Sequence, residues 1–266
     1  MQNSALIKRI IISVTFLIIF GIVGFFVYYA ISPAPICTDK KQNQNEKGID
    51  CGGPCSPCKE VEQMEDLLIT ETAVTLGGNG TYDAVAKITN PNNTIGASFF
   101  KYEFILKDVN GSVVGTRQGD NFILPADSKY VAELSFEIEN RNTPTIAEFV
   151  ISEEKWEKLN NIGKPQIGVY NKNFGKVPVG EGSGADGIIR NESGYDLGEI
   201  SLVVVLRSEK GEIVGVNKTK KNNIRAREER DFRLTWPYQL AAPVQSIEVD
   251  PQSNVFDSQN FSYTVQ

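Results

Sequence analysis

The sequence predicts a mainly β protein: two tandem immunoglobulin-like β-sandwiches behind one N-terminal transmembrane helix. Three observations predict it. A single uncharged apolar run lies near the N-terminus, from Ile10 to Ile31. From Leu67 onward hydrophobic and polar residues alternate with period two, the pattern of strands that bury one face. The second half of that alternating region copies the first at an offset of about 100 residues, and a period of that length suits a sandwich domain.

The apolar run counts 22 residues. At about 1.5 Å per residue it spans roughly 33 Å, the thickness of a hydrocarbon core. Its polar members, Ser13 and Thr15, can bond back to the helix backbone. Tyr28 and Tyr29 sit near its outer end, where amphipathic rings prefer the interface. Lys8 and Arg9 precede it, so the positive-inside rule places residues 1–9 in the cytoplasm and everything after Ile31 outside. The expected localisation is the cell membrane, single-pass, with the bilayer as partner of residues 10–31. A cleaved signal peptide is the rival reading. Its apolar region is typically about 7–15 residues, shorter than this one, although Ala30–Ala34 offers small residues to a peptidase. A lipoprotein signal fits less well, because the bulky Ile36 precedes Cys37.

Composition narrows the chemistry. The formal net charge is −6, which repels phosphate backbones and argues against a nucleic-acid partner. The one basic cluster, Lys218, Lys220, Lys221, Arg225, Arg227 and Arg230, reads as a solvated strand edge. There is no histidine. That removes the commonest general base and metal ligand, and every His-based triad.

All four cysteines, Cys37, Cys51, Cys55 and Cys58, fall in one stretch with almost no apolar residues. Such a stretch cannot bury a core, so it needs staples. Outside the membrane an even cysteine count points to two disulfides, with three pairings open. The rival is a four-thiolate zinc site, since Cys55 and Cys58 have knuckle spacing. A second such pair is missing. A redox Cys-x-x-Cys would open a helix, and Pro54 and Pro57 argue for a loop. Residues 32–65 are thus expected to form a stapled stalk.

Alternation marks Tyr82, Ala84, Ala86 and Ile88, then Phe100 to Leu106, then Tyr130, Ala132, Leu134, Phe136 and Ile138. Lys129 and Glu133 take the intervening, polar places of the last run. Asn110-Gly111 reads as a hairpin turn. In the second half Ala185, Gly187, Ile189 and Asn191 correspond to Ala84, Ala86, Ile88 and Asn90. Val204 and Leu206 correspond to Phe104 and Leu106, and Phe232, Leu234 and Trp236 to Ala132, Leu134 and Phe136. The expected domains are 66–152 and 165–266, folding as separate units. The linker, 153–164, could form a helical turn or two over Glu153–Asn160.

The cysteine stretch resembles a short Cys-rich element of surface proteins, of the type Gly-x-Asp-Cys-Gly-Gly-x-Cys-x-x-Cys. Gly48, Asp50, Cys51, Gly52, Gly53, Cys55 and Cys58 carry the likeness, while Lys40 replaces an expected glycine. Its acidic and amide residues could in principle hold calcium, but at a spacing unlike an EF-hand. Each β half resembles the FxLYD family of extracytoplasmic sandwiches. The likeness rests on Ile88-Thr-Asn90, Asp108 to Val114, Leu124-Pro125 and Tyr130 to Phe136. The second half keeps Ile189-Arg-Asn191 and Gly211 to Val214, with Ser208 for the Asp and Ala226 for the Pro. That resemblance implies a sandwich architecture and an interaction role, with no catalytic residues to carry over.

Other matches lack context. Gly182 to Gly187 fits a dinucleotide-binding glycine pattern, but a short strand follows it. Ser152 and Lys155 fit a Ser-x-x-Lys nucleophile without its companion motifs. Trp156 and Trp236 read as packing residues. The expectation is therefore a non-enzyme with no catalytic, cofactor or metal residues. It would present its sandwiches, through strand edges and end loops, to a protein partner. An adhesin or cell-wall glycan module is the alternative within binding, and an extracytoplasmic hydrolase or redox enzyme the alternative outside it.

Overall fold

A computed structural model describes residues 3–31, 36–43, 45–58, 64–138, 142–159, 163–177 and 182–263. The stretches 32–35 and 59–63 of the expected stalk, and 160–162 of the expected linker, lie outside the described residues. The chain divides into two compact units, Met1–Gln63 and Met64–Gln266.

In the first unit one helix, α1, runs from Asn3 to Ile31. From Ile7 to Tyr28 it is long and apolar enough to cross a membrane. Every described side chain in that span is exposed, and the helix is apolar all round rather than on one stripe. A helix apolar on every side needs an apolar surrounding, either lipid or other protein. The Thr15 hydroxyl donates to Ile11 O at 2.8 Å, so its polarity is absorbed by the helix itself.

The second unit is built of strands. Its first half contributes β1 (Leu68–Gly78), β2 (Thr81–Thr89), β3 (Ile95–Lys107), β4 (Val113–Ile123), β5 (Ser128–Glu137) and β6 (Ile146–Lys158). Its second half contributes β7 (Ile167–Lys176), β8 (Ser183–Asn191), β9 (Tyr195–Arg207), β10 (Ile213–Ile224), β11 (Glu229–Trp236), β12 (Ser246–Gln252) and β13 (Phe261–Tyr263). The sheets are β1-β2-β5, β4-β3-β6, β11-β8-β7 and β10-β9-β12, with β13 also on β9, and every pairing is antiparallel. The strand order in the second half is that of the first with each number raised by six.

Each half is two sheets closed on a core. Ala84, Ala86 and Ile88 of β2 meet Phe100, Phe104 and Leu106 of β3 in one core. Ala185 and Ile189 of β8 meet Leu202, Val204 and Leu206 of β9 in the other, with Trp236 fully inside. The Trp236 ring N–H donates to Val216 O at 3.2 Å, which satisfies its one polar atom.

The halves do not stand apart. The outer face of the β1-β2-β5 sheet packs on the outer face of the β10-β9-β12 sheet through Val85, Tyr130, Ala132, Val205 and Val216. Four sheets thus stack in one unit, with a third core at the seam. β5 therefore has two buried faces, and the alternation read along it changes phase. Tyr130 and Ala132 face the seam, while Val131 and Phe136 face the core of the first half. The switch falls at Ser135, whose φ of 60° is left-handed, beside a bulge between Tyr82 and Ala84. The expected helical turn at 153–160 is also corrected: residues 153–158 continue β6.

Two corner residues explain why the halves share a sequence pattern. The buried Asn90 amide donates to Ile95 O at 2.8 Å and Leu124 O at 3.0 Å, and its oxygen accepts from Asn92 N at 3.0 Å. Asn191 donates to Tyr195 O at 2.8 Å, Ile224 O at 3.3 Å and Arg225 O at 3.1 Å, and accepts from Ser193 N at 3.0 Å. In each case one amide ties three segments where the strand leaves the sheet. The hairpin pair differs. Asp108 accepts from Asn110 N and Ser112 N, both at 2.9 Å, but its counterpart Ser208 has a buried hydroxyl without a partner. Ser208→Asp should cap the second hairpin and raise stability by ~1 kcal/mol, or roughly 2–4 °C in Tm for a unit this size. Thermal unfolding of the variant beside the parent tests this, and an unchanged or lower Tm refutes it.

Candidate functional site at the seam and in the cysteine loop

The predicted site residues come together as two disulfides. Cys37 bonds Cys55 and Cys51 bonds Cys58. Among the described residues none of the cysteines is free, so the zinc alternative has no thiolates. Both carboxylate oxygens of Asp50 accept from Lys40 N, at 3.0 and 3.1 Å. Glu46 accepts from Asn43 N at 3.2 Å and Asp50 N at 3.3 Å. Asp39 accepts from Lys41 N at 2.9 Å and from the Asn43 amide at 2.8 Å. The acidic residues thus satisfy the loop's own N–H groups, in a segment too polar to be held by burial. Gly53 is required by the turn: its φ is 59°, and a Cβ there would stand 2.3 Å from Asn45 O.

The other candidate region lies at the seam, and sequence reasoning missed it. Arg207, at the end of β9, clamps Glu71 of β1 with two bonds, of 2.8 and 2.6 Å. It also donates to Glu248 and to the Tyr130 hydroxyl, and Tyr130 donates to Glu248 at 2.7 Å. The Arg207 bond holds Glu71 below the usual carboxylate range, against the cost of burial. Burial raises Glu248, but the Tyr130 and Arg207 bonds outweigh it and hold Glu248 low too. Two side chains from the second half lock onto the free edge of β5: Asp250 accepts from Tyr130 N at 2.7 Å, and Lys218 donates to Ala132 O at 2.7 Å. At the ends of the seam Tyr238 lies against Gly78 and Phe256 against Gly96, where a Cβ would come within 2.3 and 2.8 Å of the rings.

Beside these contacts a cleft of about 760 Å³ opens between the halves, walled by β4, β5, β9 and β10. Lys129 and Asp250 lie at its base. Lys129, expected on a solvated face, is buried. Its ammonium donates to Asn121 Oδ1 and Phe122 O, both at 2.7 Å, and sits 3.8 Å from the centre of the Phe122 ring. Burial pushes its pKa down to about 7, with Asp250 and Asp127 opposing. Burial likewise raises Asp250. A lysine that loses its proton near pH 7 when folded, but near 10.4 when unfolded, binds fewer protons in the folded state across that interval. Stability should therefore rise as pH rises from about 7 toward 9.5, before tyrosines begin to titrate. Denaturant unfolding of the full chain in detergent at the two ends of that range tests this. Lys129→Met should abolish the rise, and a rise that survives in the variant refutes the assignment.

The remaining motifs separate. Of the stretch Gly182 to Gly187, all but Gly182 lies within β8, a strand paired on both sides, so the glycines open no helix. Lys155 lies over the Phe99 ring, 5.2 Å from its centre, and Ser152 is exposed on the same strand. In the basic cluster Lys218 and Lys220 pair with Glu133 and Glu199 at 3.5 and 2.9 Å, Arg230 with Glu228, and Arg227 donates to Glu192 O. Lys218 is thus drawn into the seam through Ala132 O, and the others lie on a solvated, charge-balanced edge.

No family model matches the chain. No curated protein matches it either. Among solved structures, that of red sea bream transglutaminase covers 71% of this chain and 29% of its own, at 12% identity and a TM-score of 0.23. A likeness that loose carries no argument about activity.

Proposed function

We propose that this chain is a membrane-anchored protein of the cell envelope, with residues 1–9 in the cytoplasm and the β unit outside, presenting its sandwiches to a protein partner. One observation carries the reading: an exposed apolar helix of membrane-spanning length is followed at once by a loop whose four cysteines are all in disulfides. Disulfides persist on the oxidising side of a membrane. Lys8 and Arg9 at the start of the helix favour that orientation. The matching strand orders support the reading of two tandem sandwich copies. Binding rather than catalysis is favoured by how the cleft's ionisable groups are used. Glu133 accepts from Tyr102 at 2.6 Å and pairs with Lys218, Asp250 accepts from Tyr130 and Gln252, and Lys129 faces two carbonyl oxygens and a ring. The test is crosslinking in native membranes, with mass spectrometry of what is attached outside. A stoichiometric protein is the expected result. Recovery of wall polymer alone, or of nothing, refutes the reading.

A further inference from the structure

Strand edges in this unit are sealed in different ways. On β5, Asp250 and Lys218 occupy Tyr130 N and Ala132 O, Arg117 occupies Leu134 O, and Ser135 is left-handed. β6 and β7 are each broken by a left-handed residue, Glu153 and Asn171, while β10 carries one, Asn223, only at its end and lies against β1. The Asn217 amide caps Thr235 O on β11. β12 contains Pro251, and Lys172 caps its Ile247 O. β1 runs against β6 and β10. Such devices prevent one sheet from pairing with another chain.

β4 has none of them along most of its length. It is an edge strand with no left-handed residue. Only at Phe122 are its main-chain groups used elsewhere, by Asn121 and Lys129. Among the described residues nothing caps the main chain from Gly115 to Asp120. Arg117, the one cation there, is folded back over the Phe136 ring at 4.3 Å. Open space follows the strand: Gly119 to Phe122 wall the 760 Å³ cleft, and Val114 to Arg117 border a groove of about 360 Å³.

We propose that β4 is the docking edge: an extended segment of a partner protein adds to the β4-β3-β6 sheet as a further strand, antiparallel or parallel, along Gly115–Asp120. This rests on the protein-binding reading and names its surface. Main-chain hydrogen bonds would hold the segment, and the cleft would receive its side chains.

The probe is a synthetic peptide of residues 99–107, the sequence of β3, which already pairs with β4 on its other side. Hydrogen exchange of the full chain in detergent should slow at alternate amides of Gly115–Asp120 when the peptide is added. Two N-methylated peptides complete the test, one methylated at Phe100, Tyr102 and Phe104, the other at Lys101, Glu103 and Ile105. One should bind about tenfold more weakly or worse and the other near normally, because only alternate amides of an added strand face the edge. No slowing in β4 up to about 1 mM peptide, slowing at a different edge, or equal binding of both methylated peptides overturns the assignment. A crosslinked partner found away from β4 would leave the protein-binding reading intact and remove this one.

Discussion

Asn191→Leu should lower the stability of the β unit by about 3–5 kcal/mol, among the largest effects a single polar substitution can have. Leucine matches asparagine in size but neither donates nor accepts. The carbonyls of Tyr195, Ile224 and Arg225 would lose their donor, and Ser193 N its acceptor. Asn191 is fully buried, so water cannot replace the lost bonds at little cost. Each stranded group costs roughly 1–3 kcal/mol, reduced by whatever the corner can relax. Asn90→Leu should cost somewhat less, since two carbonyls rather than three depend on its amide. Asn217→Leu is the control. That side chain is half-exposed, donating to Thr235 O at 3.1 Å and accepting from Lys218 N at 2.9 Å; water can replace both bonds there, and its loss should stay within about 1 kcal/mol. Urea unfolding of the three variants decides the matter. If Asn191→Leu and Asn217→Leu cost the same, the corner is not held as described.

The asparagines also show what could be read from the chain. Their position at the end of an alternating strand, repeated in both halves, was visible as pattern; the sheets on either side of them follow from the same periodicity. The transmembrane-length helix and the paired cysteines were legible because their physics is local. Length and apolarity define one, an even count in a polar stretch the other. The seam was not legible. Period two reports that one face of a strand is buried, and β5 buries both. Lys129 sits at an alternating polar place and looked solvated, but it is buried, with its ammonium held by Asn121 and Phe122 of β4. A basic or acidic residue gives no sequence signal of whether a distant segment will supply its partner, and Glu71 and Arg207 lie 136 residues apart.

Arg207→Met should destabilise the unit by about 2 kcal/mol: Arg207 is largely buried, but Glu71 and Glu248 are a third or more exposed, so solvent screens part of what the two carboxylates lose. Glu71 and Glu248 would face each other across the seam without their shared cation. The loss should also change the form of unfolding. With the seam intact the halves share the core formed by Val85, Tyr130, Ala132, Val205 and Val216, and one transition is expected. With the seam repelled, each half retains its own core, and two transitions should separate. Replacing all three charges together, Glu71→Gln, Arg207→Met and Glu248→Gln, should recover most of the stability and the single transition, since a buried ion cluster and an uncharged packing of similar volume are often close in energy. The recovery is the decisive part. Simple loss of packing at Arg207 would leave the triple variant as unstable as the single one. Repulsion between two partly buried carboxylates would be relieved by neutralising them. A single transition in Arg207→Met, at unchanged midpoint, would mean that the apolar residues alone bind the four sheets into one folding unit.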